Sequence, residues 1–443
     1  MHWRKVWALS SYLATALAAS TAGADPAPAL AGLDGIYPSL DALYQDLHRN
    51  PELSLHEDKT AAKLSTRMRA LGYEVTEHVG GTGVVAVLRN GAGPTVLVRT
   101  EMDALPLKEQ TGLPYASTVV AKGATGEAVP VMHACGHDLH MAAWVGAATL
   151  LVHARDRWHG TVVFVGQPAE EMVLGAAALI RDGLFTRFPK PDFVIAQHDS
   201  QLQAAGTVGV IAGPASAASS AVNITFYGQG GHGATPQRTI DPVVMAARAV
   251  VALQTIVSRE LDPFDPAVVT VGSFHAGNKR NIIPDEAKLE LTVRSFKPEV
   301  QAQILAAIER IAKAEAAAAR APREPSVVVL EKESTGVVVN DPALAARVTT
   351  ALRAGLGDKA VVTFTEPTTT SEDFGNYGRI AGVPSVMLRL GAVEPAAFAK
   401  ATAAGTSVPG PHSPKFAPDR ERTLRTGVSV LTLAVLDLLG PAR

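Results

Sequence analysis

The chain has little with which to staple itself and little with which to attract a polyanion. A single cysteine, Cys135, occurs in 443 residues, so no internal disulfide can form. Forty Lys and Arg stand against 42 Asp and Glu, a formal net charge of -2, which leaves neither a basic footprint for nucleic acid nor an acidic disordered tail. Internal repeats and low-complexity tracts are also missing, beyond ordinary alanine richness. Past the N-terminus no stretch reads as long enough to span a membrane. What remains is a chain that is 47% hydrophobic and 19% charged, ample for a large core and suited to a small-molecule substrate. At this length two domains, or one with an insertion, are expected, because single cores seldom grow past about 250 residues.

The N-terminus has its own pattern. His2-Trp3-Arg4-Lys5 is a basic lead, Val6 to Ala19 a short apolar run with polar breaks, and Ala22-Gly23-Ala24 an A-x-A site. This reads as a secretory signal peptide, residues 1–24, cut after Ala24, and predicts a periplasmic or secreted protein. Export brings an oxidising compartment, in which a lone Cys135 is a buried structural thiol, a reactive one, or a thiolate held by metal.

Beyond a Pro/Ala-rich lead, Ser39 can cap a helix carrying Leu40, Leu43, Tyr44 and Leu47, and a second helix runs from Thr60 to Leu71 before Gly72. Apolar runs at 84–88, 95–99, 161–165 and 192–196 then alternate with helices at 138–154 and 176–182. Such alternation predicts an α/β fold, a mostly parallel mixed sheet covered by helices. Near residue 213 the texture changes. Strand 221–227, helix 241–260, strands 267–274 and 287–296 and helix 299–319 form the split pattern of a ferredoxin-like α+β unit. The expected organisation is a catalytic metal-binding domain from 25–213 and 333–443, with a lid and dimerisation domain inserted at 214–332. Helix 342–356, strand 385–390 and helix 420–439 complete the first.

Chemistry-bearing residues cluster just past the carboxyl ends of the predicted strands: Glu101 and Asp103 after one, Glu170 and Glu171 after another, His198 and Asp199 after a third. That edge is where open α/β sheets bind ligands. Cys135 and His137 sit two apart ahead of a helix, in a turn that Gly136 permits. Thiolate, imidazole and carboxylate together suit zinc and neighbouring divalent metals. Alone, Cys-x-His is a weak signal and Glu-Glu is commonly a solvated loop; convergence at strand ends favours a metal site. One of the two glutamates can then ligate metal while its neighbour acts as general base. Cysteine nucleophile chemistry with His137 as base is the competing reading. A non-catalytic periplasmic metal- or ligand-binding protein is another.

Ordered blocks along nearly the whole chain sharpen this: "LHRNPELSLHEDKTA", "TGVVAVL", "RTEMDALPLKEQTGLPYAS", "HACGHDLHMA", "GQPAEE", "GQGGHGATPQRTIDPV", "GNKRNIIPDE", "TVRSF", "SEDF" and "HSPKF". Together they resemble the co-catalytic di-metal aminoacylase and carboxypeptidase-G clan, in its hippurate-hydrolase and indole-acetyl-amino-acid-hydrolase branch. The resemblance implies a metal-dependent amidohydrolase that cleaves N-acyl or aryl-acyl amino acids or small peptides. It implies two divalent ions, with zinc fitting best and manganese, nickel or cobalt admitted, bridged by Cys135. His137 and His198 would complete one ion, and Glu171 and His412 the other. By the same resemblance Glu170 is general base and acid, Asp103 supports a ligand, and His232 reaches the site of a partner in a homodimer or higher homo-oligomer. Asn281 and Arg294 fall in blocks that line the substrate carboxylate pocket. Two departures bear on that pocket. Glu101 stands where the family has aspartate, and Asp199-Ser200-Gln201 replaces an apolar run ending in proline. His48 and Glu52 are read as packing residues, and His140 as touching the site from the first turn of its helix.

Overall fold

The computed structural model describes residues 27–441, so the signal-peptide expectation for 1–24 lies outside the described residues. An eight-stranded mixed sheet forms the body, in the spatial order Glu74–Val79, Gly83–Asn90, Gly160–Gln167, Thr95–Glu101, Phe193–Ala204, Ser385–Val393, Val208–Val210 and Val361–Thr363. The four central strands, from Gly160–Gln167 to Ser385–Val393, run parallel. Their side chains are buried on both faces, as the unbroken Val/Ile/Leu runs require. All four deliver their carboxyl ends to one edge.

Helix His137–His153 is apolar around nearly its whole circumference, which fits its place between the sheet and the helices Leu33–Arg49 and Arg420–Leu439. Gly146 sets the closeness of that packing. A Cβ there would lie 2.5 Å from Val428 Cγ2 and 2.7 Å from Leu40 Cδ1.

A second sheet of four antiparallel strands, ordered Ala267–Ala276, Glu286–Ser295, Ala218–Tyr227 and Ser326–Thr335, carries helices Pro242–Thr255 and Pro298–Ala318 on one face. Its strands alternate buried and exposed, the mark of a sheet packed on one side only. Val222, Ile224 and Phe226 meet Met245, Leu253, Ile304 and Ile308 in a separate core. The chain order β-α-β-β-α-β is the ferredoxin-like arrangement. Two crossing strands, Gly213–Ser216 and Val338–Asn340, pair where the chain leaves and re-enters the body.

Three expectations need correction. The first helix starts at Leu33, so Ser39 lies inside it; its hydroxyl accepts a hydrogen bond from Arg67 rather than capping. Pro38 disguised this, because an interior proline normally ends a helix, yet burial of Leu33 in the main core favours the extra turn. Strand Ser326–Thr335 went unrecognised. The stretch Pro242–Glu260 is long and apolar enough to cross a membrane, but Met245, Ala246, Ala249, Leu253 and Ile256 bury one side of it in the inserted core.

Candidate metal centre

Gly136 turns the chain into helix His137–His153 with φ +77, a left-handed conformation open to glycine. A Cβ at this position would also lie 1.9 Å from Asp199 Oδ2, so the turn and the neighbouring strand end are fitted to each other. Cys135 Sγ thereby comes 3.4 Å from His198 Nε2 on strand Phe193–Ala204. The ligand atoms of Cys135, His137 and Glu171 all lie within 4.8 Å of one another. His412 Nε2 approaches Glu171 Oε2 to 3.1 Å from the loop before helix Arg420–Leu439.

Both imidazoles that face Cys135 are oriented from behind. His137 Nδ1–H donates to the Asp103 carbonyl at 2.8 Å, and His198 Nδ1–H donates to the Asp199 carbonyl at 2.8 Å. These bonds fix the tautomer and turn each Nε2 toward the thiol, as metal-binding histidines require. Asp103 Oδ2 accepts from Ser54 Oγ at 2.7 Å and from the Glu171 N–H at 3.0 Å, so it holds both a histidine and a glutamate in place.

The turn bearing Glu170 and Glu171 is held in an uncommon backbone conformation. Ala169 has φ +48 and Val173 φ +58, and His412 across the site has φ +66. Non-glycine residues rarely occupy this region, and such strain gathers at functional sites. Buried Glu57 secures the turn by accepting from the Ala169 N–H at 2.9 Å. Glu57 had no assigned role in the sequence reading, although it lies in one of the quoted blocks.

A cation is what this donor set lacks partners for. His137 Nε2, Glu171 Oε1, Asp103 Oδ1 and both Asp199 carboxylate oxygens are buried without a hydrogen-bond partner, a costly state for polar groups. Burial disfavours charge on His137, but its bond to Asp103 and the nearby Glu101 and Asp103 charges push its pKa up to about 10. Burial, with Glu171 and Glu170 alongside, pushes the Cys135 thiol well up, the opposite of the depressed pKa a cysteine nucleophile needs. Mixed thiolate, imidazole and carboxylate donors around such orphaned atoms fit divalent metal.

Burial, then Glu372, Glu171 and Asp373, push the carboxyl of Glu170 well above the usual range. Behind it lies a charged cluster that the sequence reading missed. Fully buried Arg99 bonds to Glu101, to Glu372 at 2.7 Å, to Asp373 at 3.1 Å and to Gln167 at 2.9 Å. The period-2 spacing of Arg99 and Glu101 on one strand face was a usable signal. The two departures from the family pattern also meet here, since Glu101 Oε2 lies 3.2 Å from His140 Nδ1 while the Asp199 N–H donates to His140 Nε2 at 2.9 Å. His140 thus ties both to the back of the centre.

A cavity of about 530 Å³ opens over the cluster, lined by Cys135, Glu170, Glu171, His198 and His412 and by Arg294 from the inserted unit. His232 and Asn281 do not line it. They sit together, exposed to solvent, His232 on the segment Gly231–His232 and Asn281 just ahead of its partner Ile282–Ile283, where the Asn281 carbonyl accepts from the Gly233 N–H at 2.9 Å.

With this geometry in hand, residues 97–437 match the Peptidase family M20/M25/M40. The chain belongs to that family. The hippurate hydrolase of Campylobacter jejuni is 35% identical over 338 residues, covering 76% of this chain and 84% of that one. An N-acetyl-L-cysteine deacetylase of Bacillus subtilis is 40% identical over 266 residues, 60% of this chain but only 61% of the deacetylase. Among solved structures, the Bacillus subtilis YXEP protein, a dinuclear metal binding peptidase of the M20 family, superposes with a TM-score of 0.73 at 28% identity, covering 91% of this chain and 99% of that one. The M20 chain described here is a metal-dependent amidohydrolase whose donor set suits two divalent ions.

Proposed function

We propose that the protein hydrolyses the amide bond of N-acyl or aryl-acyl amino acids or small peptides, with Glu170 carrying the proton. The observation that bears most weight is Glu170 itself. It is 6% exposed at the cavity wall, 3.9 Å from His137 Nε2, with its carboxyl raised by burial and by neighbouring acids. A carboxylate so placed takes a proton from the attacking water and returns it to the leaving amine.

Cys135, His137, His198, Glu171 and His412 are the residues we assign to holding two divalent ions, Cys135 being the one shared between them on this assignment. Bound there, the ions supply Lewis acidity toward the carbonyl and make water a better acid. The thiolate favours zinc, and the same mixed set admits manganese, nickel and cobalt. Asp103 positions His137 and Glu171. Arg294 and, more loosely, Asn281 take the substrate carboxylate.

We extend the proposal to assembly and location. His232 is exposed, and its Nδ1 accepts from the Ala234 N–H at 3.0 Å, leaving Nε2 outward. From a second copy of the chain it would support the developing oxyanion. The edge strand Ala267–Ala276 and the exposed Val244 and Val251 offer the surface for such a dimer. The basic lead, apolar run and A-x-A site before Ala24 support export to the periplasm or beyond.

Purified, metal-loaded protein assayed against hippurate, N-acetyl amino acids and dipeptides should release free amino acid, and a chelator should stop it. Release from none of them would overturn the proposal and favour a binding protein on the same fold.

A further inference from the structure

The cavity wall holds a second arginine that neither the sequence pattern nor the metal chemistry accounts for. Arg389 lies on the central strand Ser385–Val393, in register with His198 on the adjacent parallel strand, so its side chain emerges on the same face as that histidine. It lines the same cavity as Cys135, Glu170 and Arg294.

Its bonding is the anomaly. One Nη2–H donates to the Ala215 carbonyl at 2.6 Å, and its Cζ lies 5.4 Å from the Phe364 ring. No carboxylate among the described residues comes within ion-pair distance of it. Arg99, one strand further over, is compensated by Glu101, Glu372 and Asp373. Arg294 resembles Arg389 rather than Arg99: it bonds only to neutral oxygens, those of Ser219, Thr292 and Val293. Of the carboxylates on the wall, Glu170, Glu171 and Asp199 stand at the metal centre, Asp199 beside His140 and His198, and Glu372 is already held by Arg99. A guanidinium stays protonated even when half-buried, so each bare one in a cavity favours an anion arriving with the ligand. Arg294 answers to one carboxylate. Arg389 is left for another.

From this we infer that Arg389 is a specificity-determining residue that selects substrates carrying a second carboxylate, on either side of the scissile amide. The inference rests on the amidohydrolase reading above and names its substrate class. A cavity of about 530 Å³ has room for a dicarboxylate amide of that size.

The test compares kcat/KM within two pairs: N-acetylglutamate against N-acetylglutamine, and N-succinylleucine against its terminal amide. The wild-type enzyme should favour the acidic member of at least one pair by about 10- to 100-fold, the range of a charge-assisted hydrogen bond. Which pair responds tells which side of the amide Arg389 reads. In Arg389→Gln that ratio should fall to about one through KM, while Arg389→Lys keeps part of it. Should Arg389→Gln fail to fold, glutarate and glutaramate as competitive inhibitors of the wild type serve instead, with glutarate binding at least about tenfold tighter. Equal rates within both pairs, equal inhibition, or an unchanged ratio in Arg389→Gln would overturn the inference. Hydrolysis of none of the four compounds would instead count against the amidohydrolase reading.

Discussion

The two larger sheets of this protein and the segments beside them handle charge in opposite ways. At the edge of the large sheet, Arg99, Glu101 and Asp103 at the end of one strand, and His137 and His140 in the first turn of the helix packed on it, are all at most 1% exposed. On the inserted unit, His232 and Asn281 stand in solvent beside the short pair Gly231–His232 and Ile282–Ile283, and Arg294 is half-buried on a strand whose residues alternate in and out. Charges removed from water interact strongly, and each must be matched by a partner or an ion. Charges left in water cost little and become useful only when something docks on them. The edge of the large sheet is therefore a preorganised cation site, and the inserted unit is the side on which the proposed substrate and partner contacts fall.

Perturbing the buried side should do the most damage. Cys135→Ala removes the atom that the other ligands face, and should lower metal content and reduce kcat/KM by at least about 10⁴-fold, read by elemental analysis and assay. Arg99→Leu strands Glu101, Glu372 and Asp373 without their cation. A loss of about 3–5 kcal/mol in urea unfolding is expected. The solvent side should behave otherwise. His232→Ala should keep its stability and metal yet lose about 10²-fold or more in kcat. Mixed with an equal amount of Glu170→Gln, it should recover roughly a quarter of wild-type activity, because half the dimers then carry one intact site. No recovery on mixing would place His232 outside the partner's site.

A smaller effect is expected at His48, buried between Asp138 at 2.6 Å and Glu109 at 3.1 Å. Burial opposes its charge, but the bonds to Asp138 and Glu109 prevail and raise its pKa to about 10. With the folded pKa above the unfolded value of about 6.5, this contribution is complete below pH 6.5 and is lost as pH rises toward 10. By linkage the loss across that window is of the order of a few kcal/mol, and neutral His48 keeps its bond to Asp138. Denaturant titrations of the wild type and His48→Phe should converge across that window.

The same contrast explains what could be read from the sequence. The catalytic face was legible because buried parallel strands announce themselves as apolar runs, and a ligand that follows such a run must land at the edge of the sheet. Gly136 was legible as a turn. The sequence carries no sign that its missing Cβ makes room for Asp199. Arg99, Glu372 and Asp373 were missed because their pairing joins residues about 270 positions apart, and Arg389 because one cation in an apolar run says nothing of which face it takes. His48 reads as packing in the sequence and instead bridges Asp138 and Glu109.

In the proposed reaction Glu170 moves the proton while other residues hold the metal. Glu170→Gln, assayed for bound metal and for turnover in the same preparation, tests this most directly. Wild-type metal content with kcat lowered by about 10³-fold is expected. Retained turnover, or metal lost along with activity, would contradict it.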